Sequence, residues 1–191
     1  MGRKRSLSLS LPDSPMRDVK SDEIIVAQGE FHVSNSPNVI VKTLLGSCVA
    51  TCLYDPVLKV GGMNHFLLAT GSDRDTNSER YGAYAMEVLI NGLLKLGARK
   101  SQLQAKVFGG ATMSGIMGHI GIKNCEFATK FLDMEGFPII ACSLGGEHAR
   151  AIRFNPSTGQ VSQRLIYDCE AEANISSTPL ETKEEIMFFG E

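Results

Sequence analysis

The sequence predicts an α+β protein with two helices laid on a sheet-rich body, and three observations carry that reading. Short apolar and β-branched runs recur along most of the chain between turn signals. Only two segments instead show apolar residues at three- and four-residue steps. Each of those has one apolar side, which must be buried against another element.

Taken in order, the folded region opens at Ile24-Ile25-Val26-Ala27, and strands follow at 38–45, 49–54 and 60–68. The first helix spans 80–96, where Tyr81, Tyr84, Ala85, Val88, Leu89, Leu93 and Leu96 form the stripe and Gly97 stands as the C′ residue. A strand at 103–108 separates it from a second helix at 124–135, with Asn124 as N-cap, Ala128, Phe131 and Leu132 on the buried side, and Gly136 at its end. Strands at 138–143, 149–154 and 161–167 complete the set. The last two flank Asn155-Pro156-Ser157-Thr158-Gly159, a hairpin loop. Several runs are apolar throughout, as central strands are.

Composition narrows the class. A chain of 191 residues with 43% AVILMFWYC can bury one ordinary core. The formal charge is −2 and the only dense basic run is Arg3-Lys4-Arg5, which argues against a nucleic-acid groove. No apolar stretch approaches the roughly 20 residues of a membrane span. The N-terminal Ser-Leu alternation is a poor secretory h-region. Five cysteines, an odd number, fit reduced thiols in a cytoplasm better than a disulfide framework. The expected organisation is a disordered leader at 1–22, a folded domain at 23–167 and a flexible tail at 168–191. The apolar end of that tail, Ile186-Met187-Phe188-Phe189, reads either as a docking peptide on a tether or as a strand that packs back on the domain.

The candidate chemistry centres on Thr43-Leu44-Leu45-Gly46-Ser47-Cys48, with Asn64-His65 seventeen residues after the cysteine. Gly46-Ser47 allows a sharp turn that leaves N–H groups of Ser47 and Cys48 as oxyanion donors. Asp55-Pro56-Val57-Leu58 between the two motifs is a turn. Without a bulge, a hairpin closed there pairs positions summing to 113, so Tyr54 faces Lys59, Cys52 faces Gly61 and Cys48 faces His65. Directly opposed residues have Cβ atoms roughly 4.5–5.5 Å apart. A thiol and an imidazole so placed can share a proton, with His65 lowering the Cys48 pKa.

The plainer alternatives stand beside these. Cys52, Cys125, Cys142 and Cys169 read as small hydrophobes, and His32, His119 and His148 as solvated side chains. Thr43 either fills a strand or orients the imidazole. Cys48 and Cys52 lie four apart on one strand, roughly 13 Å, so neither a metal site nor a disulfide is expected there. Gly109-Gly110 and Gly145-Gly146 lack the spacing and lysine of a P-loop and read as turns.

Several motifs in sequence order resemble one family. Thr43-Leu-Leu-Gly-Ser-Cys48, Tyr54-Asp-Pro56, Gly61-Gly-Met-Asn-His65, Val107-Phe-Gly-Gly-Ala111 with Met113, Ile120-Gly-Ile-Lys-Asn124, and Gly145-Gly with Arg150 are similar to the CheD family of chemoreceptor glutamine deamidases. The resemblance runs from about residue 24 to 167. It implies a cytoplasmic chemotaxis enzyme that converts selected receptor glutamines to glutamate and releases ammonia, without a cofactor. It also implies a layered α/β/β sandwich like that of bacterial deamidating toxins. The family's nucleophile falls on Cys48, its base on His65 and its third residue on Thr43. Implied partners are the cytoplasmic helices of methyl-accepting chemotaxis receptors and a CheC-like phosphatase, and the same machinery could open a glutamyl methyl ester. Two rival functions are a catalytically idle adaptor on receptors or on that phosphatase, and a thiol redox protein.

Overall fold

In the computed structural model, which describes residues 21–68, 75–112, 117–167 and 186–189, strand β3 (Val39–Leu45) buries Val39, Val41, Thr43 and Leu45 and exposes Leu44. A strand with one wet face belongs to an outer layer. Strands β4 (Val49–Asp55) and β5 (Val60–Phe66) are instead buried on both faces, so they form the middle of a stack.

The outer sheet joins β1 (Asp22–Ile25), β3, β8 (Ala149–Phe154), β9 (Val161–Ile166) and β10 (Ile186–Phe189), in the order β1-β3-β8-β9-β10. The middle sheet joins β2 (Phe31–Ser34), β5, β4, β6 (Gln104–Gly109) and β7 (Ile139–Leu144), in the order β2-β5-β4-β6-β7. Both are mixed, through the parallel pairs β1–β3 and β6–β7. Helices α1 (Asp75–Lys95) and α2 (Met117–Met134) cover the far face of the middle sheet. Val49, Leu53, Phe66, Leu89, Leu93 and Leu132 fill the helix–sheet layer. Val41, Leu45, Ala50, Met63, Phe108 and Phe154 fill the layer between the sheets. Each large side chain so buried contributes roughly 1.5–3 kcal/mol, and the rigid layer they make is what holds the site described below. The architecture is the α+β sandwich expected, with helices on a sheet on a sheet.

Four features differ from the sequence reading. The hairpin β4–β5 pairs positions summing to 115, so Ala50 faces His65, Cys52 faces Met63 and Asp55 faces Val60. Cys48 therefore does not oppose His65. The reason lies in the loop. A two-residue connection needs positive φ at its first central position, which Pro56 cannot supply. The chain uses four loop residues, with Lys59 at φ 55°, Lys59 N–H donating to Asp55 O, and Asp55 Oδ1 accepting from Val57 and Leu58 N–H. A shift of two leaves every side chain on its predicted side.

Both helices also start earlier than predicted. The first turn of α1 is polar and carries no apolar rhythm, while α2 begins with Met117-Gly118-His119-Ile120-Gly121, whose glycines disfavour helix. Asn124 is thus not an N-cap but a fully buried residue inside α2. Strand β2 escapes a pattern search because it has four residues with no alternation of burial. Finally, Ile186–Phe189 pair antiparallel with β9, the Phe189 ring packs edge-on to Phe108 at 5.4 Å, and Lys106 Nζ donates to Phe189 O at 2.9 Å. The packing alternative describes this segment. Residues 1–20, 168–185 and 190–191, and with them Cys169, lie outside the described residues. No helix among the described residues is long and apolar enough to cross a membrane.

Candidate active site

Cys48 occupies the short connection between β3 in the outer sheet and β4 in the middle one, where the chain passes from layer to layer. Three donors take up the carbonyls of this connection. Ala111 N–H donates to Gly46 O at 2.8 Å, Asn124 Nδ2–H to Ser47 O at 2.8 Å and Gly110 N–H to Cys48 O at 2.7 Å. The peptide planes are therefore oriented with their oxygens inward. Neither the Ser47 nor the Cys48 N–H enters a loop or turn hydrogen bond among the described residues. The Ser47 N–H is thus left without a backbone partner, and the Cys48 N–H lies against its own sulfur; donors so placed are the kind an oxyanion hole requires.

The support for this connection comes from glycine-rich loops. A Cβ at Gly109 (φ 118°) would overlap the Cys48 carbonyl, and one at Gly121 would press on the Gly110 and Ala111 carbonyls. Behind them, Thr112 N–H donates to Gly146 O and Gly145 N–H to Gly109 O. Arg150, 3% exposed, donates from its guanidinium to the Ser143 and Gly145 carbonyls and to Ser143 Oγ, holding the Gly145-Gly146 turn. Gly145-Gly146 lie in the bend between β7 and β8, whereas Gly109 is not in a turn but ends strand β6, with Gly110 just beyond it, and both pairs buttress the Cys48 connection.

His65 projects from β5 into the layer between the sheets, 6% exposed, on the same side as Ala50 and Cys48. Thr43 reaches it from the opposite sheet: Thr43 Oγ1 lies 2.8 Å from His65 Nδ1 and donates to Val26 O at 2.8 Å. A hydroxyl has one proton. With that proton on Val26 O, Thr43 accepts from Nδ1–H, which leaves the Nε2 lone pair free. Nε2 is buried and has no hydrogen-bond partner among the described residues. The orienting role for Thr43 is the one this geometry supports.

The resting pair is neutral. Burial pushes the His65 pKa below its usual 6.5, opposed by the Val26 carbonyl, and burial raises the Cys48 thiol, opposed by its own backbone N–H. The direction is opposite to the expected lowering of the thiol pKa, because desolvation of Cys48 outweighs the hydrogen bond from its own N–H. The Cys48 S–H instead points at Gln28 Oε1, 3.6 Å away. Cys48, Cys52, Cys125 and Cys142 are all free thiols. His119 is exposed, His32 and His148 are half-buried, and no cluster of His, Cys, Asp or Glu among the described residues could hold a metal ion.

Pattern reading missed two participants. Asn124 joins the Ser47 carbonyl to the Leu68 N–H, which donates to its Oδ1 at 2.8 Å; an amide in an otherwise apolar helical stripe was the available signal. Gln28 lies in the polar turn Ala27-Gln28-Gly29-Glu30, which gives no periodicity to read.

Residues 67–165, about half of the chain, match the family model described as CheD chemotactic sensory transduction. A probable chemoreceptor glutamine deamidase CheD of Caulobacter vibrioides is 53% identical over 156 residues, covering 81% of this chain and 82% of its own. The chain belongs to the CheD family. Proteins of the same name from Agrobacterium fabrum and Zymomonas mobilis are 45% and 55% identical, over 84% and 71% of this chain and 90% and 76% of theirs. A solved Bacillus licheniformis hypothetical protein, YfiH, is similar at TM-score 0.39 and 16% identity over 59% of this chain and 49% of its own, too slight to bear on the site.

Proposed function

We propose that this CheD-family chain hydrolyses the side-chain amides of selected glutamines on the cytoplasmic helices of chemoreceptors, with Cys48 as nucleophile, His65 as general base and acid, and Thr43 as the residue that positions His65. The observation that carries the reading is the Thr43–His65 hydrogen bond, which leaves the His65 Nε2 unpartnered in the layer between the sheets that Cys48 also borders. An idle adaptor has no need of a buried imidazole with one nitrogen left empty, since an unmet buried acceptor costs about 1–3 kcal/mol.

In this mechanism Nε2 takes the thiol proton as Sγ attacks the amide carbon, so that thiolate forms only during attack. The Ser47 and Cys48 N–H groups receive the developing oxyanion. Protonated His65 then hands its proton to departing ammonia, and a water deprotonated by His65 cleaves the thioester. The half-exposed Cys48 suits an amide carried on the surface of a helix. The catalytic body would be 22–167 with β10 added to it, and its layers would superpose on those of bacterial deamidating toxins. Incubation with receptor cytoplasmic fragments, followed by mass spectrometry, tests the function. Each converted glutamine gains about one dalton. Receptor fragments bound but unchanged would instead identify an adaptor.

A further inference from the structure

The thiol already faces an amide of the substrate class. Gln28 lies in the connection from β1 to β2, and its side-chain oxygen accepts the Cys48 S–H at 3.6 Å. Its backbone is tied to the candidate base. Gly29 N–H donates to His65 O at 2.7 Å and His65 N–H to Glu30 O at 3.0 Å, while Glu30 N–H closes the turn onto Ala27 O. Glu30 Oε2 also accepts from Ala27 N–H at 2.9 Å. The Cα of Gln28 is thus held in place relative to His65, and its exposed side chain is free to turn.

Resting on the function proposed above, we infer that Gln28 is a substrate of its own active site, which Cys48 slowly converts to glutamate. A tethered reactant gains the advantage of an intramolecular reaction even when it is imperfectly aligned. Here the misalignment has a definite form. The Gln28 oxygen meets the S–H, whereas the productive pose aims it at the Ser47 and Cys48 N–H groups. Rotation about the side chain's own bonds separates the two poses, and the small fraction of time spent in the productive one sets the rate.

The atoms balance with water alone. Sγ bonds to the Gln28 amide carbon as the thiol proton passes to His65 Nε2. The C–N bond breaks and ammonia leaves with that proton. Water then cleaves the thioester to a carboxylate and restores the thiol. The product places a negative charge beside Cys48, which disfavours thiolate formation. The reaction limits itself, acting as a timer on the enzyme's own turnover.

The test uses the full chain, as wild type and as Cys48→Ala, incubated in ¹⁸O-water and mapped by peptide mass spectrometry, with receptor fragments assayed in parallel. Wild type is expected to gain about three daltons at position 28 with time, one from amide to acid and two from the heavy oxygen, while Cys48→Ala keeps its amide. An intact amide at position 28 in a preparation that converts receptor glutamines overturns the inference alone. So does equal conversion in Cys48→Ala. If neither amide reacts, the function proposed for the site falls and this inference falls with it.

Discussion

Cys48 and Cys52 leave the same side of the same strand region four residues apart, into the same layer between the two sheets, and meet opposite surroundings. Cys48 stands at the mouth of that layer, half-buried, with its own N–H turned to its sulfur and an amide oxygen in front of it. Cys52 lies in the interior at 1% exposure, between Met63 and Lys106 in register, and burial pushes its thiol far up despite the nearby ammonium. Position along the layer, not the residue type, sets how far each thiol is open to solvent. The same holds for unmet polar atoms. His65 Nε2 lacks a partner in the layer that Cys48 borders, whereas Gln163, with both amide atoms unpartnered among the described residues, is sealed at 1% exposure.

Exchanging the two thiols for alanine breaks the comparison most sharply. Cys48→Ala is expected to lower receptor-amide hydrolysis by at least about 10³-fold, as loss of a nucleophile does, with little change in thermal stability. Cys52→Ala is expected to keep the rate and lose about 1 kcal/mol through a small cavity, read as a melting shift of about 2–4 °C. A rate loss in Cys52→Ala without a stability loss would overturn the assignment of roles.

A smaller effect sharpens the account of the neutral pair. With the His65 pKa pushed down, the base is free at neutral pH, and kcat/KM should fall only as pH drops through a value below 6.5. Stability follows the same sign. A depressed histidine contributes stability that is fully present above its unfolded pKa and is lost as pH falls through the folded one. Thr43→Val removes the acceptor for Nδ1–H and leaves the Val26 carbonyl, 3.4 Å from that nitrogen, as its remaining partner. We expect about a tenfold fall in kcat and a shifted pH profile. An unchanged profile would reduce Thr43 to packing.

The smallest predicted effect concerns Asn124→Asp. It keeps the bond from Leu68 N–H but loses the donor to the Ser47 carbonyl. Its kcat should fall several-fold with KM little changed, measured on the same receptor fragments. A change confined to KM would remove Asn124 from the positioning of the oxyanion donors.

The layering was legible because an apolar stripe on a helix and an unbroken apolar strand each state how many faces are covered. The side of the sheet on which Cys48 and His65 project was legible for the same reason, since alternation survives a register shift of two. The register itself was not, because it depends on the conformation of Pro56 through Lys59 rather than on the strands. Asn124 was misread because a helix begun through two glycines hides its first turns, and a buried amide then resembles a cap. Gln28 carried no signal at all, as its position comes from backbone bonds to His65 that exist only in the folded molecule.

The C-terminal strand has a consequence for how the molecule is made. Without β10, the edge of β9 presents a row of unpaired backbone groups, open to strands of other chains. A chain stopped anywhere between 167 and 185 carries that open edge, and Lys106 without the Phe189 carbonyl. During synthesis the same exposure lasts until residues 186–189 arrive. Self-association is therefore a hazard of the unfinished chain, and docking of β10 moves the edge from the six residues of β9 to a strand of four.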